Sequence, residues 1–204
     1  MTGRIITARH GRPNLSRNLK ISAADYGDWW ARYDASGLHP DEEPPQALIE
    51  MARGATTVLS STLPRAIETA REVTRGQRDV PADPIFVEAP LPPPPAPSFV
   101  KLSPGQWGVV SRALWCLGYA PPGVESEREA WRRASEIAER LGEHARGGDV
   151  LLCAHGFLNW MLDRRLKRAG WRQISSDGGN HYWSWRIYEA RGDKAPSRAP
   201  AVAE

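Results

Sequence analysis

The chain has 204 residues, with 27 Lys and Arg against 24 Asp and Glu for a net charge of +3; that fits one domain with a sizeable core, and no apolar run approaches the roughly 20 residues a membrane-spanning helix needs. Two cysteines, Cys116 and Cys153, supply neither a disulfide framework nor a zinc site, and with no signal-peptide pattern the default expectation is a cytoplasmic protein. Arginine far outnumbers lysine, yet no Lys/Arg block carries interleaved aromatics, which argues against a nucleic-acid partner and leaves single arginines to be weighed by context.

Residues 3–8 predict a short apolar strand that ends at Arg9-His10-Gly11. Ser22 is a good N-cap for a helix reaching about residue 35, and Tyr26, Trp29, Trp30 and Tyr33 share one face of it by their spacing. That stripe reads as core or pocket wall. A second helix follows Pro45, and residues 56–60 read as a second buried strand. Ser61 or Thr62 then caps a helix with Pro64 in its first turn, where a missing N–H costs little. Residues 84–88 are a third strand candidate. The proline-rich residues 91–97 exclude helix and central strand and predict an extended, stiff connection, with a pocket wall shared with Trp107 and the 22–35 helix, or an SH3-type ligand, as alternatives.

Helical patterns resume at 103–117 and 125–146, the second stopped by Gly147-Gly148. Residues 149–154 are the clearest buried strand, with Cys153 as a small core residue and His155-Gly156 at its end. A helix over 157–168, a Ser/Asp/Gly loop at 175–180 and a final strand over 182–188 follow. The domain is therefore placed at residues 1–190, and residues 191–204, rich in Ala, Pro and Arg, predict a disordered tail. Strands alternating with helices predict an α/β domain with helices on both faces of a mainly parallel sheet, whose ligands bind beyond the carboxyl ends of the strands.

Four polar groups fall at or just past those ends: Arg9-His10, Ser60 with Arg65, Glu88 and His155. A neutral imidazole is a competent nucleophile towards phosphorus, and neighbouring guanidinium groups disfavour its protonation. Arg9 and Arg65 match phosphoryl oxygens with paired, charge-assisted bonds, and Arg65 sits in a first helical turn that already favours an anion. His155 repeats the strand-His-Gly grammar of His10, and when protonated would stabilise charge on the transferring group. Gly11 lets the backbone turn tightly after His10. Glu88 is the best proton donor, with Asp83 and Glu125 as rivals, and Asn180 and His181 are candidates for the pocket edge. No Walker A loop, Cys-x-x-C or His-Glu-x-x-His motif is present, so the expectation is chemistry without metal or other cofactor, the charge being supplied by arginine and histidine.

These residues resemble the histidine phosphatase superfamily, the phosphoglycerate mutase-like family. Arg9-His10-Gly11 is similar to its signature, residues 60–70 with Arg65-Ala66 and Thr69-Ala70 to its second block, and Ala154-His155-Gly156 to its third. The resemblance implies a three-layer α/β/α sandwich with a mixed, mainly parallel central sheet. It implies that His10 is phosphorylated during the cycle, that Arg9, Gly11, Arg65 and His155 bind the phosphate, and that Glu88 is the acid. Pro13 and the prolines after Glu88 depart from the mutase-like pattern. The reading is thus a phosphomonoesterase acting on a small-molecule phosphate ester with some apolar surface, without nucleic-acid or membrane partner and with the oligomeric state left open. The alternatives are a mutase-like phosphotransferase and a non-catalytic phosphate- or phosphopeptide-binding protein.

Overall fold

The computed structural model describes residues 2–192; the tail expected from residue 191 lies outside the described residues from 193 onwards. Among the described residues, six strands form one mixed sheet: β1 (Ile5–Arg9), β2 (Thr57–Ser61), β3 (Ala82–Asp83), β4 (Val150–Ala154), β5 (Trp171–Asp177) and β6 (Trp185–Ala190), in the order β3-β2-β4-β1-β6-β5. The first four are mutually parallel, and β6 runs antiparallel to both β1 and β5. Six helices accompany them: α1 (Ala23–Asp34), α2 (Gln46–Gly54), α3 (Pro64–Val73), α4 (Pro104–Cys116), α5 (Glu127–Ala145) and α6 (Gly156–Arg168).

The period of two along each strand divides the core. From β4, Val150, Leu152 and Ala154 pack with α5 and α6, whereas Leu151 and Cys153 face α2 and α3. All five β4 residues are buried, as expected of a central parallel strand covered on both faces. Full burial of one leucine side chain is worth about 1.5–3 kcal/mol, so this strand alone anchors both layers. Burial pushes the Cys153 thiol up to about 12, which makes it a packing residue without thiolate chemistry.

A third cluster joins α1 to α4. Tyr26, Trp29 and Tyr33 pack with Trp107, whose indole N–H donates to the Ile21 carbonyl at 2.8 Å. Ser22, Ser103 and Ser126 each close a capping box at the start of α1, α4 and α5, which fixes where those helices begin.

Four local expectations are corrected. The third strand lies at Ala82–Asp83, and Pro84–Phe86 is a short 3-10 helix, because the Asp83 carboxylate caps the Ile85 N–H and Pro84 takes the first helical position. Residues 175–177 belong to β5, an edge strand whose exposed surface and bulge between Gln173 and Ser175 break the apolar alternation. The final strand begins at Trp185, since Trp183 has φ +62, a left-handed conformation incompatible with a strand. No side chain caps α3: its N-cap is Leu63, while the Ser61 hydroxyl accepts the Leu63 N–H and meets His155.

Candidate active site

Strand register assembles the site. Arg9 on β1 pairs with Ala154 on the parallel β4, so His10 and His155 leave neighbouring strand ends side by side, with ring centroids 5.2 Å apart. The next pairing, Ser60 with Cys153, sets Ser61 beside them, and its hydroxyl lies 2.8 Å from His155 Nε2. Residues remote in sequence thus meet at one sheet edge, as ligand sites in α/β folds do.

His10 is 2 % exposed, and its Nδ1 lies 2.7 Å from the Gly11 carbonyl oxygen. A carbonyl only accepts, so Nδ1 carries the proton and Nε2 keeps the lone pair. The Arg65 Nε–H donates to that Nε2 at 3.3 Å, which is consistent only with an unprotonated nitrogen. Burial, then the charges of Arg65 and Arg9, hold the His10 imidazole well below its ordinary range. His155 is held well below it too, by burial and then by His10 and the arginines. Its Nδ1 is buried without a partner, a polar atom that a bound group can satisfy.

Arg65 is 1 % exposed and fixed on three sides: NH1 donates to the Tyr33 carbonyl, NH2 pairs with Asp34 at 3.0 Å, and the guanidinium lies over the Tyr33 ring at 4.5 Å. Burial raises the Asp34 carboxyl while Arg65 opposes the rise. Thr69, one turn along α3, donates to the Arg65 carbonyl and accepts the Gly11 N–H at 3.0 Å, which couples α3 to the end of β1. Arg9 donates to the Asn180 carbonyl, lies 4.7 Å over the Tyr182 ring and leaves its Nε without a partner.

Gly11 is part of this scaffold but does not line the pocket, and its N–H is engaged by Thr69. Nor does it make a left-handed turn; a Cβ there would stand 2.3 Å from the Trp183 indole. At Gly156 a Cβ would stand 3.1 Å from the Arg9 guanidinium. Both His-Gly glycines therefore grant close approach rather than a turn. Glu88 does reach the pocket, although it follows the 3-10 helix and not a strand. Its Oε2 accepts the Phe157 N–H at 3.0 Å, and its Oε1 accepts those of Leu158 and Ala89 at 2.8 and 3.0 Å. The carboxylate thus caps α6, directly after His155. Asp83 and Glu125 pair with Arg140 and Arg133 instead and stand outside the pocket. Asn180 edges the pocket and His181 does not.

The cavity holds about 330 Å³, a small-molecule volume. Its inner end carries Arg9, His10 and Arg65, and its outer walls come from α1, α4 and α6. Trp29, Trp30 and Tyr33 line it as the aromatic stripe predicted; Trp107 is buried behind them, and the proline segment contributes Leu91. Pro92 and Pro94 are buried while Pro93, Pro95 and Pro97 are exposed, and the Pro92 carbonyl accepts the Ser111 hydroxyl, so one side of that segment packs as a connection against α4. Sequence reasoning missed Arg17, Arg112, Phe157 and Trp160, and on α4 it named Trp107, whereas Pro104, Gly105, Gly108 and Arg112 form the wall. Phe157 and Trp160, three residues apart just after His155-Gly156, were the available signal for one of these walls. On α4, Gly105 in the first turn and Gly108 face the cavity, although Gly108 costs the helix interior about 1 kcal/mol relative to alanine.

The buried histidines make stability depend on pH. The unfolded chain binds protons at both imidazoles near the ordinary value of 6.5, whereas the fold keeps both rings neutral below it. Fewer protons are bound in the folded state, so stability is fully present above that value and falls as pH drops through it. Chemical unfolding should therefore show stability falling by roughly 1–3 kcal/mol between about pH 7.5 and about pH 5.5, as both buried imidazoles resist the protons that the unfolded chain takes up. Equal stability at the two pH values contradicts the assignment of neutral rings.

This is an α/β fold in which His10 and a set of arginines line one cavity at the strand ends, while His155, fully buried beside His10, does not itself line it. A family model described as the histidine phosphatase superfamily (branch 1) matches residues 5–198, and the chain belongs to that superfamily. Among solved structures, it is similar to Bacillus stearothermophilus YhfR, with 18% identity over 93% of this chain and 92% of that one and a TM-score of 0.57. It is similar to a mycobacterial glucosyl-3-phosphoglycerate phosphatase in complex with VO3, with 21% identity, coverage of 91% and 92%, and a TM-score of 0.56. An Entamoeba histolytica phosphoserine phosphatase in complex with 3-phosphoglyceric acid shares 16% identity over 81% of this chain and 80% of that one, with a TM-score of 0.52. At these identities the likeness is one of fold. A comparison with curated proteins finds no match. No helix among the described residues is long and apolar enough to cross a membrane.

Proposed function

We propose that the chain is a metal-independent phosphomonoesterase that works through a phosphohistidine at His10. The observation that carries this reading is the pinned tautomer: Nδ1–H is held by the Gly11 carbonyl, and the Nε2 lone pair lies against Arg65. Arg9 and Arg65 bind the phosphoryl oxygens, and His155 adds a donor through its unpartnered Nδ1. His10 Nε2 attacks phosphorus and the bond to the ester oxygen breaks, with Glu88 giving that oxygen its proton. Water then attacks phosphorus while Glu88 takes the water's proton; the phosphorus–nitrogen bond breaks, Nε2 regains its lone pair, and inorganic phosphate leaves. The arginines supply the positive charge that the transfer requires. Phosphatase names among the solved relatives support the reaction class.

The test is release of inorganic phosphate from an aryl phosphate in the presence of chelator. Turnover unaffected by the chelator supports the proposal. Phosphoryl transfer to a second ester without phosphate release replaces it by a mutase, and heat protection by phosphate without turnover replaces it by a binding protein.

Glu88 has a test of its own. Glu88→Gln removes the acid and turns an amide towards a backbone N–H of α6, so kcat on an alkyl phosphate should fall about 10²-fold. A nitrophenyl ester needs little help to leave, and its turnover should fall much less. Equal losses on both esters would show that Glu88 only caps α6.

A further inference from the structure

The outer half of the cavity has no counterpart in the phosphoryl chemistry, and three of its features point the same way. First, α4 turns Trp107, Ser111 and Trp115 inwards, while Pro104, Gly105, Gly108 and Arg112 line the cavity. Neither glycine is needed where it stands. Both lie within a regular helix without positive φ. A Cβ at Gly105 would meet nothing within 4 Å, and one at Gly108 would meet only the Tyr26 hydroxyl at 3.6 Å, an ordinary contact. What the missing side chains leave is open space in the cavity.

Second, the walls around that space are aromatic and only half-buried. Trp30 comes from α1, and Phe157 and Trp160 from α6, where the last two stack at 4.9 Å with ring planes 22° apart. Third, the charge is one-sided. Arg17 and Arg112 line the cavity without a carboxylate ion pair among the described residues, and the one lining carboxylate, Glu88, has both oxygens engaged by backbone N–H groups. Burial and the adjoining cations therefore oppose a positively charged ligand.

We propose that this outer pocket selects phosphate monoesters whose alcohol is bulky, flat, apolar and uncharged, and that Gly105 and Gly108 are its specificity-determining residues. The proposal rests on the phosphatase reading for its turnover and on the pocket alone for its binding. A fused-ring alcohol lies between the aromatic walls with its edge towards the glycine strip, and any side chain on the strip competes for that volume.

The experiment compares 1-naphthyl phosphate with phenyl phosphate, which offer similar leaving oxygens and differ by one ring, and uses phosphocholine as an apolar but cationic ester. Each is followed by turnover and, independently, by quenching of tryptophan fluorescence on binding. The wild type should favour the naphthyl ester over the phenyl ester about 10-fold in kcat/KM, chiefly through KM, with the same preference in Kd. Gly105→Leu should remove that preference, lowering kcat/KM for the naphthyl ester about 10-fold more than for the phenyl ester, and Gly105→Ala should do so in part. Equal handling of the two aryl esters by the wild type overturns the proposal, as does equal loss on both in Gly105→Leu or a preference for phosphocholine. Tighter naphthyl binding without turnover of any ester would support the pocket assignment and count against the phosphatase reading instead.

Discussion

His10→Ala should reduce phosphate release from any substrate by at least about 10³-fold, as expected when the group that forms the covalent intermediate is lost. The loss should appear in kcat, and phosphate should still bind, because Arg9, Arg65 and His155 remain. The fold should survive the change. His10 is buried but carries no charge there, so the variant loses one hydrogen bond to Gly11 and leaves the Arg65 Nε without its acceptor, a cost of about 1–3 kcal/mol near neutral pH. It should also lose half of the acid sensitivity described above, since one of the two imidazoles that resist protonation has gone. A stable variant with a shallower pH dependence and no turnover therefore separates a nucleophile from a merely structural histidine. Wild-type activity in a folded His10→Ala protein contradicts the mechanism.

Arg65→Ala should damage both affinity and stability. Arg65 is the only lining arginine that touches His10 Nε2, the Tyr33 carbonyl and Asp34 together. Its removal takes away a paired donor to the phosphoryl group, and KM with the inhibition constant for phosphate should rise about 10²-fold. It also strands Asp34, whose carboxyl burial already pushes up. Because that side chain keeps 35% of its exposure, the expected destabilisation is about 2–3 kcal/mol, below that of a fully enclosed pair. Arg65→Lys keeps the charge but cannot bond to three groups at fixed angles, so it should restore stability more than affinity. Full activity in Arg65→Lys would show that charge alone suffices and that the fork geometry does not matter.

The inner end of the site was legible because its determinants are short-range. Each His-Gly pair directly follows a short buried strand, and β4 is an unbroken apolar run while β1 opens on Ile5-Ile6. Their pairing needed only the parallel rule to bring His10 and His155 together. The capping serine at 22 likewise announces its helix locally, whereas Ser103 and Ser126 were not singled out although they close the same kind of box. The edge of the sheet was not legible: β5 is mostly exposed and bulged, and Pro84-Ile85-Phe86 is apolar enough to pass for a strand although Asp83 turns it into a helical cap. The outer pocket failed for a different reason. Arg17, Gly105, Arg112 and Trp160 converge only through the packing of α1 against α4 and the direction of α6, and nothing in their own neighbourhoods marks a ligand wall. Glu88 was singled out and lines the cavity, but the cap it places on α6 is a tertiary contact across 69 residues of sequence.

The most direct test of the central claim is to mix the enzyme with a substrate labelled in its phosphoryl group, quench during turnover and map the label. The account predicts acid-labile, base-stable label on the peptide that carries His10, present in the wild type, absent from His10→Ala, and lost when the quenched step is left to run to completion. Label on another residue, or turnover with no labelled protein at any time, would contradict it.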